Sequence, residues 1–294
     1  MQNIENKFYT TIYILMGLSM LSWAVAWTSA KIVSNYLSFY NLVFFRFLLG
    51  FISLIPLIAG KYFFSLFKLN KINLLYIIIT SILFFVYNVC FFMGTHYGFA
   101  GKGAILVTTI NPLITALIIS MIKKKISKSE IQGLFLGLIG GSFILNIYVD
   151  GFIQIFNITN IYFLICAITW GIITVLTNYA QKDISPQIFI FLCYFFTSVI
   201  AIFFADFGSI DFNKFDSIFY LNFFLVSIGA MSFGTTVYMY ATSYLGPIKA
   251  SVFIFSVPFI AMATAFIFLN EPITLNIVIG GLLSLLGIYI INKK

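Results

Sequence analysis

Residues 245–291 read LGPIKASVFIFSVPFIAMATAFIFLNEPITLNIVIGGLLSLLGIYII, and the fold follows from that stretch. Two apolar runs, 250–269 and 273–291, are separated only by Asn270, Glu271 and Pro272. A helix rises about 1.5 Å per residue, so roughly 20 apolar residues cross the hydrocarbon of a bilayer. Each run therefore predicts a membrane-spanning helix. An earlier stretch repeats the pattern: residues 104–122 are apolar, with Pro112 where the later run has Pro258. A short break, Lys123-Lys124-Lys125-Ile126-Ser127, leads into a second run over 131–147, where Gly133 and Gly140 answer Gly280 and Gly287. The chain reads as two related halves, 1–148 and 149–294.

Composition agrees. The chain is 62% hydrophobic and only 8% charged, too little charge to cover the surface of a soluble domain. The net charge of +8 sits in short loops between apolar runs, where basic residues orient a membrane protein, so no nucleic-acid partner is expected. Cys90, Cys166 and Cys193 all fall inside apolar runs without ligand spacing, which predicts packing residues rather than disulfides or a metal site. No Walker-type loop is present and no cofactor is expected.

The charges divide the chain into ten predicted spans: 10–30, 38–59, 72–97, 102–122, 131–148, 160–180, 186–205, 217–243, 248–269 and 272–292. The first is too long and too weakly flanked by basic residues for a secretory leader, and it is read as a retained helix. With an even number of spans both termini share one side. That side collects Lys7, Lys61, Lys68, Lys71, Lys123, Lys124, Lys125, Lys128, Lys182, Lys249, Lys293 and Lys294, against Lys31, Lys102 and Lys214 on the other. Twelve against three predicts cytoplasmic termini.

Trp23 and Trp170 are 147 residues apart, as are Ser38 and Ser185, and Gly133 and Gly280. Pro112 and Pro258 differ from that offset by one, as a single loop insertion gives. Five spans per half is an odd number, so the second half must enter the membrane inverted. The expected fold is all-α, ten transmembrane helices in two inverted five-helix repeats, an architecture that transporters use with a site at the repeat interface.

Ser22-Trp23-Ala24-Val25-Ala26-Trp27, Phe44-Phe45-Arg46-Phe47-Leu48-Leu49-Gly50, the prolines of spans 4 and 9, and Leu269-Asn270-Glu271-Pro272-Ile273-Thr274 before a Gly-rich last span resemble the EamA-type members of the drug/metabolite transporter superfamily. The resemblance runs along essentially the whole chain. It implies a secondary carrier of amino acids, metabolites or drugs, with a central cavity bordered by spans 1, 3, 4, 6, 8 and 9. It also implies an arginine at Arg46. One departure stands out: the family usually carries an acid before span 5, where this chain has Lys124.

Candidate substrate-binding residues follow from polar and aromatic positions inside the spans. Trp23 and Trp27 lie one turn apart, and Trp170 repeats Trp23, deeper than an interfacial belt would place them. Span 3 offers Tyr87, Asn88 and the lone histidine, His96; span 6 offers Thr174 one turn from Trp170; span 8 offers Tyr238. Polar faces at helical spacing point away from lipid, toward a cavity or a neighbouring helix. Pro112 and Pro258 each free the carbonyl four residues earlier, which marks Thr108 and Asn111 in span 4 and Ser256 in span 9. Arg46 is read as capping carbonyls or snorkelling, and Glu271 as lying in the first turn of span 10 behind Asn270 as N-cap.

No Asp or Glu lies within a span, so no buried proton relay or acid pair for a membrane enzyme is visible. The expected function is an inner-membrane secondary carrier, monomer or homodimer. It would move an amino acid or related small metabolite, uncharged or zwitterionic with an apolar or aromatic part, by alternating access. The alternatives are a nucleotide-sugar or phosphorylated-metabolite exchanger and, in another class, a non-transporting membrane enzyme or receptor.

Overall fold

The structure, a computed structural model, describes every residue except Met1, 63–68, 125–126, 239–240, 242–252, 255 and 293–294. Among the described residues there is no strand. The principal helices in chain order are α1 (Gln2–Val33), α2 (Phe39–Leu57), α3 (Lys71–Tyr97), α4 (Ala100–Lys123) and α5 (Lys128–Ile144). They are followed by α6 (Ile158–Ala180), α7 (Pro186–Ile202), α8 (Ser217–Phe224), α9 (Val257–Leu269) and α10 (Leu275–Asn292). Among the described residues six segments are long and apolar enough to cross a membrane: Tyr9–Val33, Phe39–Gly60, Lys71–Tyr97, Ala100–Lys123, Ile158–Ala180 and Ser217–Tyr238. Pro186–Ile202, Val257–Leu269 and Leu275–Ile291 are shorter apolar helices.

Short polar residues begin these helices, as capping chemistry requires. Asn70 accepts from the Asn73 amide at 2.8 Å, Asp216 from the Phe219 amide at 2.8 Å, and Ser127 with Glu130 forms a reciprocal capping box on α5. Lys124 and Asn270 end α4 and α9 in the left-handed region, with φ of 52° and 53°. Structurally these two are counterparts and share the offset of Pro112 and Pro258, so the register of the halves shifts by one residue before Pro112 and shifts back between these caps and Gly133.

That cap corrects one expectation. Asn270 closes α9 rather than opening α10, which starts at Leu275 behind Thr274. Glu271 is therefore outside α10 altogether. Other boundaries also move. The fifth helix ends at Ile144, before Asn146 turns left-handed at φ 59°, and Pro258 stands in the first turn of α9 instead of its middle. The span expected over 217–243 is helical without a break from Ser217 to Tyr238, with a π-helix, Leu225–Thr235, inside it; 239–240 and 242–243 lie outside the described residues.

The helices pack mostly across the two halves. α1 lies against the π-helix and α9, just as α6 lies against α3 and α4; α2 meets α7, α4 meets α9, and α5 meets α10. At the last contact the glycines meet reciprocally. A Cβ on Gly133 would stand 2.4 Å from the Gly287 carbonyl oxygen, and one on Gly280 would stand 2.5 Å from that of Gly140. As one helix advances from 133 to 140 the other retreats from 287 to 280, so the pair is antiparallel. Because 133 repeats as 280 and 140 as 287, a local two-fold perpendicular to the helices relates them. Only residues without a side chain let backbones approach so closely.

Large apolar side chains such as Leu138, Ile153 and Phe268 face outward, while Ser19, Asn41, Arg46, Asn88, Thr109 and Glu271 are buried. Polar groups turned inward and apolar groups outward is the arrangement of a bundle solvated by lipid.

Candidate functional site: a cavity between the halves

A cavity of about 730 Å³ runs through the bundle, bordered by α1, α2, α3, α4, α6, α7, the π-helix, α9 and α10, with α5 reaching it at Glu130. One end is shut by Trp27, which is buried and edge-on to Phe91 at 4.8 Å between centroids, with Phe163 behind it at 6.2 Å. Beyond this aromatic plug, at the α3–α4 link, lies the ion pair of Lys31 and Glu271. Lys31 Nζ is 2.8 Å from Glu271 Oε1 and donates also to the Gly98 carbonyl at 2.7 Å. Glu271 accepts from the Ala100 and Gly101 amides at 2.8 and 2.9 Å. An acid here suits the positive end of α4. Glu271 therefore caps α4 of the other half and not α10, where the sequence had placed it. In the opposite direction the cavity reaches Ile119, Glu130, Thr177 and Ile291, at the far ends of α4, α5, α6 and α10.

Nine of the eleven expected residues line this space: Trp23, Trp27, Tyr87, Asn88, Thr108, Asn111, Trp170, Thr174 and Tyr238. Two do not. His96 Nδ1 is paired with Ser34 Oγ at 2.9 Å, and its ring packs against Phe39 and Tyr97 beyond the plug. Ser256 is exposed and donates to the Phe253 carbonyl. His96 is displaced because span 3 runs past the plug, and Ser256 because Pro258 begins a helix there.

The two repeat-related tryptophans differ. Trp23 packs on Tyr238 at 5.2 Å and donates its indole N–H to the Ala230 carbonyl at 2.9 Å, so that donor is already engaged. Gly234 allows this, since a Cβ there would stand 2.8 Å from the indole. Trp170 meets Tyr87 at 4.9 Å and Phe84 at 6.1 Å, and its indole N–H makes no hydrogen bond to a described residue.

The π-helix explains why so many polar side chains converge. Widening a helix loosens its internal ladder, and its carbonyls are taken up from outside. Ser19 bonds Gly234, Trp23 bonds Ala230, and Arg46 Nε bonds Val226 at 3.0 Å. Arg46 Nη1 meets Asn88 Oδ1 at 2.5 Å, and the guanidinium stacks near Phe91 and Phe92. The arginine thus caps a carbonyl, as expected, and also lines the cavity. Sequence reasoning missed Thr115, Tyr194 and Met231, which also face it; a tyrosine or methionine in an apolar run carries no signal separating cavity from core. Ser81 and Thr95 bond to helix backbones, and Ser232 bonds to Ser53 across helices.

The three cysteines are unpaired and buried, and Cys166 and Cys193 point at backbone carbonyls. No group of three or more His, Cys, Asp or Glu side chains able to hold a metal ion occurs among the described residues.

An all-helical bundle with lipid-suited flanks and a sizeable internal cavity between antiparallel, symmetry-related elements has the architecture of a multi-pass membrane transporter of small molecules. The model of the EamA-like transporter family matches residues 10–146 and again 157–293, and the chain belongs to that family. It is 24% identical over 299 residues to an uncharacterized transporter of Archaeoglobus fulgidus, covering 96% of this chain and 97% of that one. A solved crystal structure, titled only as that of a protein, is similar with a TM-score of 0.65 at 13% identity, covering 96% of each chain. At that identity the likeness speaks for the fold alone.

Proposed function

We propose that the protein is an inner-membrane secondary carrier. In this reading two inverted five-helix halves, 1–148 and 149–294, give ten spans with both termini in the cytoplasm, and the halves rock about the central cavity. The observation that carries the reading is the cavity itself. It lies between repeat-related helices, has the size of a small-metabolite site, and is plugged at the Lys31–Glu271 end by Trp27 and Phe91. With the lysine-rich loops inside, that plugged end is the outer one.

The cargo is a small metabolite, an amino acid or a related compound with an apolar or aromatic part. The walls that support this are Phe84, Tyr87, Phe91 and Trp170. A phosphorylated-metabolite or nucleotide-sugar exchanger fits less well, because phosphates call for several cations and Arg46 is the one Lys or Arg among the described lining residues. With no acid inside a span and His96 off the cavity, the carrier works by uniport or exchange. The protein acts as a monomer or homodimer and is not an enzyme.

The test is counterflow. Purified protein in liposomes loaded with an unlabelled metabolite pool should take up trace label of a matching compound from outside. Uptake equal to that of empty liposomes across an amino-acid and metabolite library would overturn the carrier reading.

A further inference from the structure

We infer that the cavity holds its cargo by a carboxylate docked on Arg46; this rests on the carrier reading and names the chemistry of that same site. Arg46 lies inside α2, in the apolar segment Phe39–Gly60. It is 7% exposed and lines the cavity. A guanidinium has five N–H donors in a planar fork. Here Nε is taken by the Val226 carbonyl and Nη1 by Asn88, whose own amide is held by the Phe84 carbonyl at 2.8 Å. Nη2 makes no hydrogen bond to a described residue and is not among the atoms sealed from the cavity. The guanidinium is thus held at Nε and at Nη1, and Nη2 is the nitrogen left for a ligand.

No described acidic side chain forms an ion pair with it. Both ion pairs among the described residues, Lys31–Glu271 and Lys214–Asp211, lie outside the cavity. The other charged lining residue, Glu130, belongs to the capping box at the start of α5 and accepts from the Ser127 amide. A buried cation with neutral partners only, at membrane depth, favours any anion that reaches it. Other cavity-lining polar groups without a bond to a described residue can add donors: the Trp170 N–H, which only donates, and the Tyr87 hydroxyl and Asn111 amide, which donate as well as accept. One guanidinium suits one carboxylate, bound through planar charge-assisted hydrogen bonds, while the aromatic wall at Phe84, Tyr87 and Trp170 takes the apolar remainder.

The experiment uses matched probes on the purified full chain: phenylacetate against phenylacetamide, indole-3-acetate against indole-3-acetamide, and phenylalanine against phenylalaninamide. Binding is read from thermal stabilisation at millimolar concentration, because a ligand of the folded state raises apparent stability. At least one acid should stabilise the protein, and its amide should bind roughly 10- to 100-fold more weakly, the range for losing a hydrogen bond to a charged group. Arg46→Gln should lose the preference for acids, and Arg46→Lys should keep part of it. Amides binding as well as acids, no acid binding, or wild-type acid affinity in Arg46→Gln would each overturn the assignment. The acid–amide comparison is made on the unmodified protein, so it decides even where Arg46→Gln does not fold. Counterflow of a cargo without a carboxylate would sink this inference and leave the carrier reading intact. Acid binding without any counterflow would do the reverse.

Discussion

Lys31 and Glu271, 240 residues apart in sequence, meet at 2.8 Å and join α1 to the link between α9 and α10 over the first turn of α4. The carboxylate is buried and the lysine side chain is 25% exposed, so the pair sits at the rim of the bundle. Glu271→Gln removes the negative charge opposite Lys31 and the anion from the α4 terminus. The cost should be about 1–3 kcal/mol, less than for a fully buried pair because Lys31 is wetted. Thermal inactivation of Glu271→Gln and Lys31→Met should begin at lower temperature than in the parent. Unchanged inactivation would mean that the pair does not hold this end together.

The glycine crossing of α5 and α10 should be intolerant of side chains. Gly133→Ala and Gly140→Ala place a methyl group against backbone oxygen at 2.4 and 2.6 Å, so helices must separate. We expect a loss of about 1–3 kcal/mol, as for overpacking elsewhere. Gly17→Ala meets nothing within 4 Å and serves as the control. Equal stability of all three variants in thermal unfolding would contradict the crossing.

Trp23 and Trp170 should respond differently to phenylalanine. Trp23→Phe removes the nearer of two side-chain donors to the Ala230 carbonyl, leaving Thr235 Oγ1 at 3.3 Å, and should cost stability, about 1 kcal/mol or less, with a small effect on affinity. Trp170→Phe removes an N–H that faces the cavity, and should weaken binding of the best counterflow substrate several-fold at unchanged stability. The reverse pattern, by thermal shift and binding on the same preparations, would misassign the two rings.

Topology has its own check. In a cysteine-free variant, Asp211→Cys should react with an impermeant thiol reagent added to intact cells, and Lys128→Cys only after permeabilisation; both positions are exposed. Reaction of Lys128→Cys in intact cells would reverse the orientation.

Much of this architecture is written locally. Apolar run length, the Ser, Asn and Asp caps, and the spacing of Gly133, Gly140, Gly280 and Gly287 are properties of short segments, and the helices that build the cavity could be read from them. What sequence hid depends on partners far along the chain. The π-helix Leu225–Thr235 is supported by Ser19, Trp23 and Arg46, none of which is near it in sequence. Glu271 was misassigned because Asn270 adopts φ 53°, which ends one helix instead of starting the next. His96 and Ser256 carry the right chemistry for a site, but their place along the helix axis is set by where the aromatic plug and Pro258 fall.

The central claim is that this one cavity is reached from each side of the membrane in turn. Thr174 lines it from α6 and tolerates a small polar replacement, its hydroxyl being bonded only to the Trp170 carbonyl. The direct measurement is the rate at which an impermeant thiol reagent modifies Thr174→Cys in a cysteine-free protein, in right-side-out and in inverted vesicles. Alternating access predicts modification from both sides, slower from the outer side in the parent and faster there once Glu271→Gln loosens the plugged end. Modification from one side only, unaffected by Glu271→Gln, would describe a fixed pocket and contradict the account.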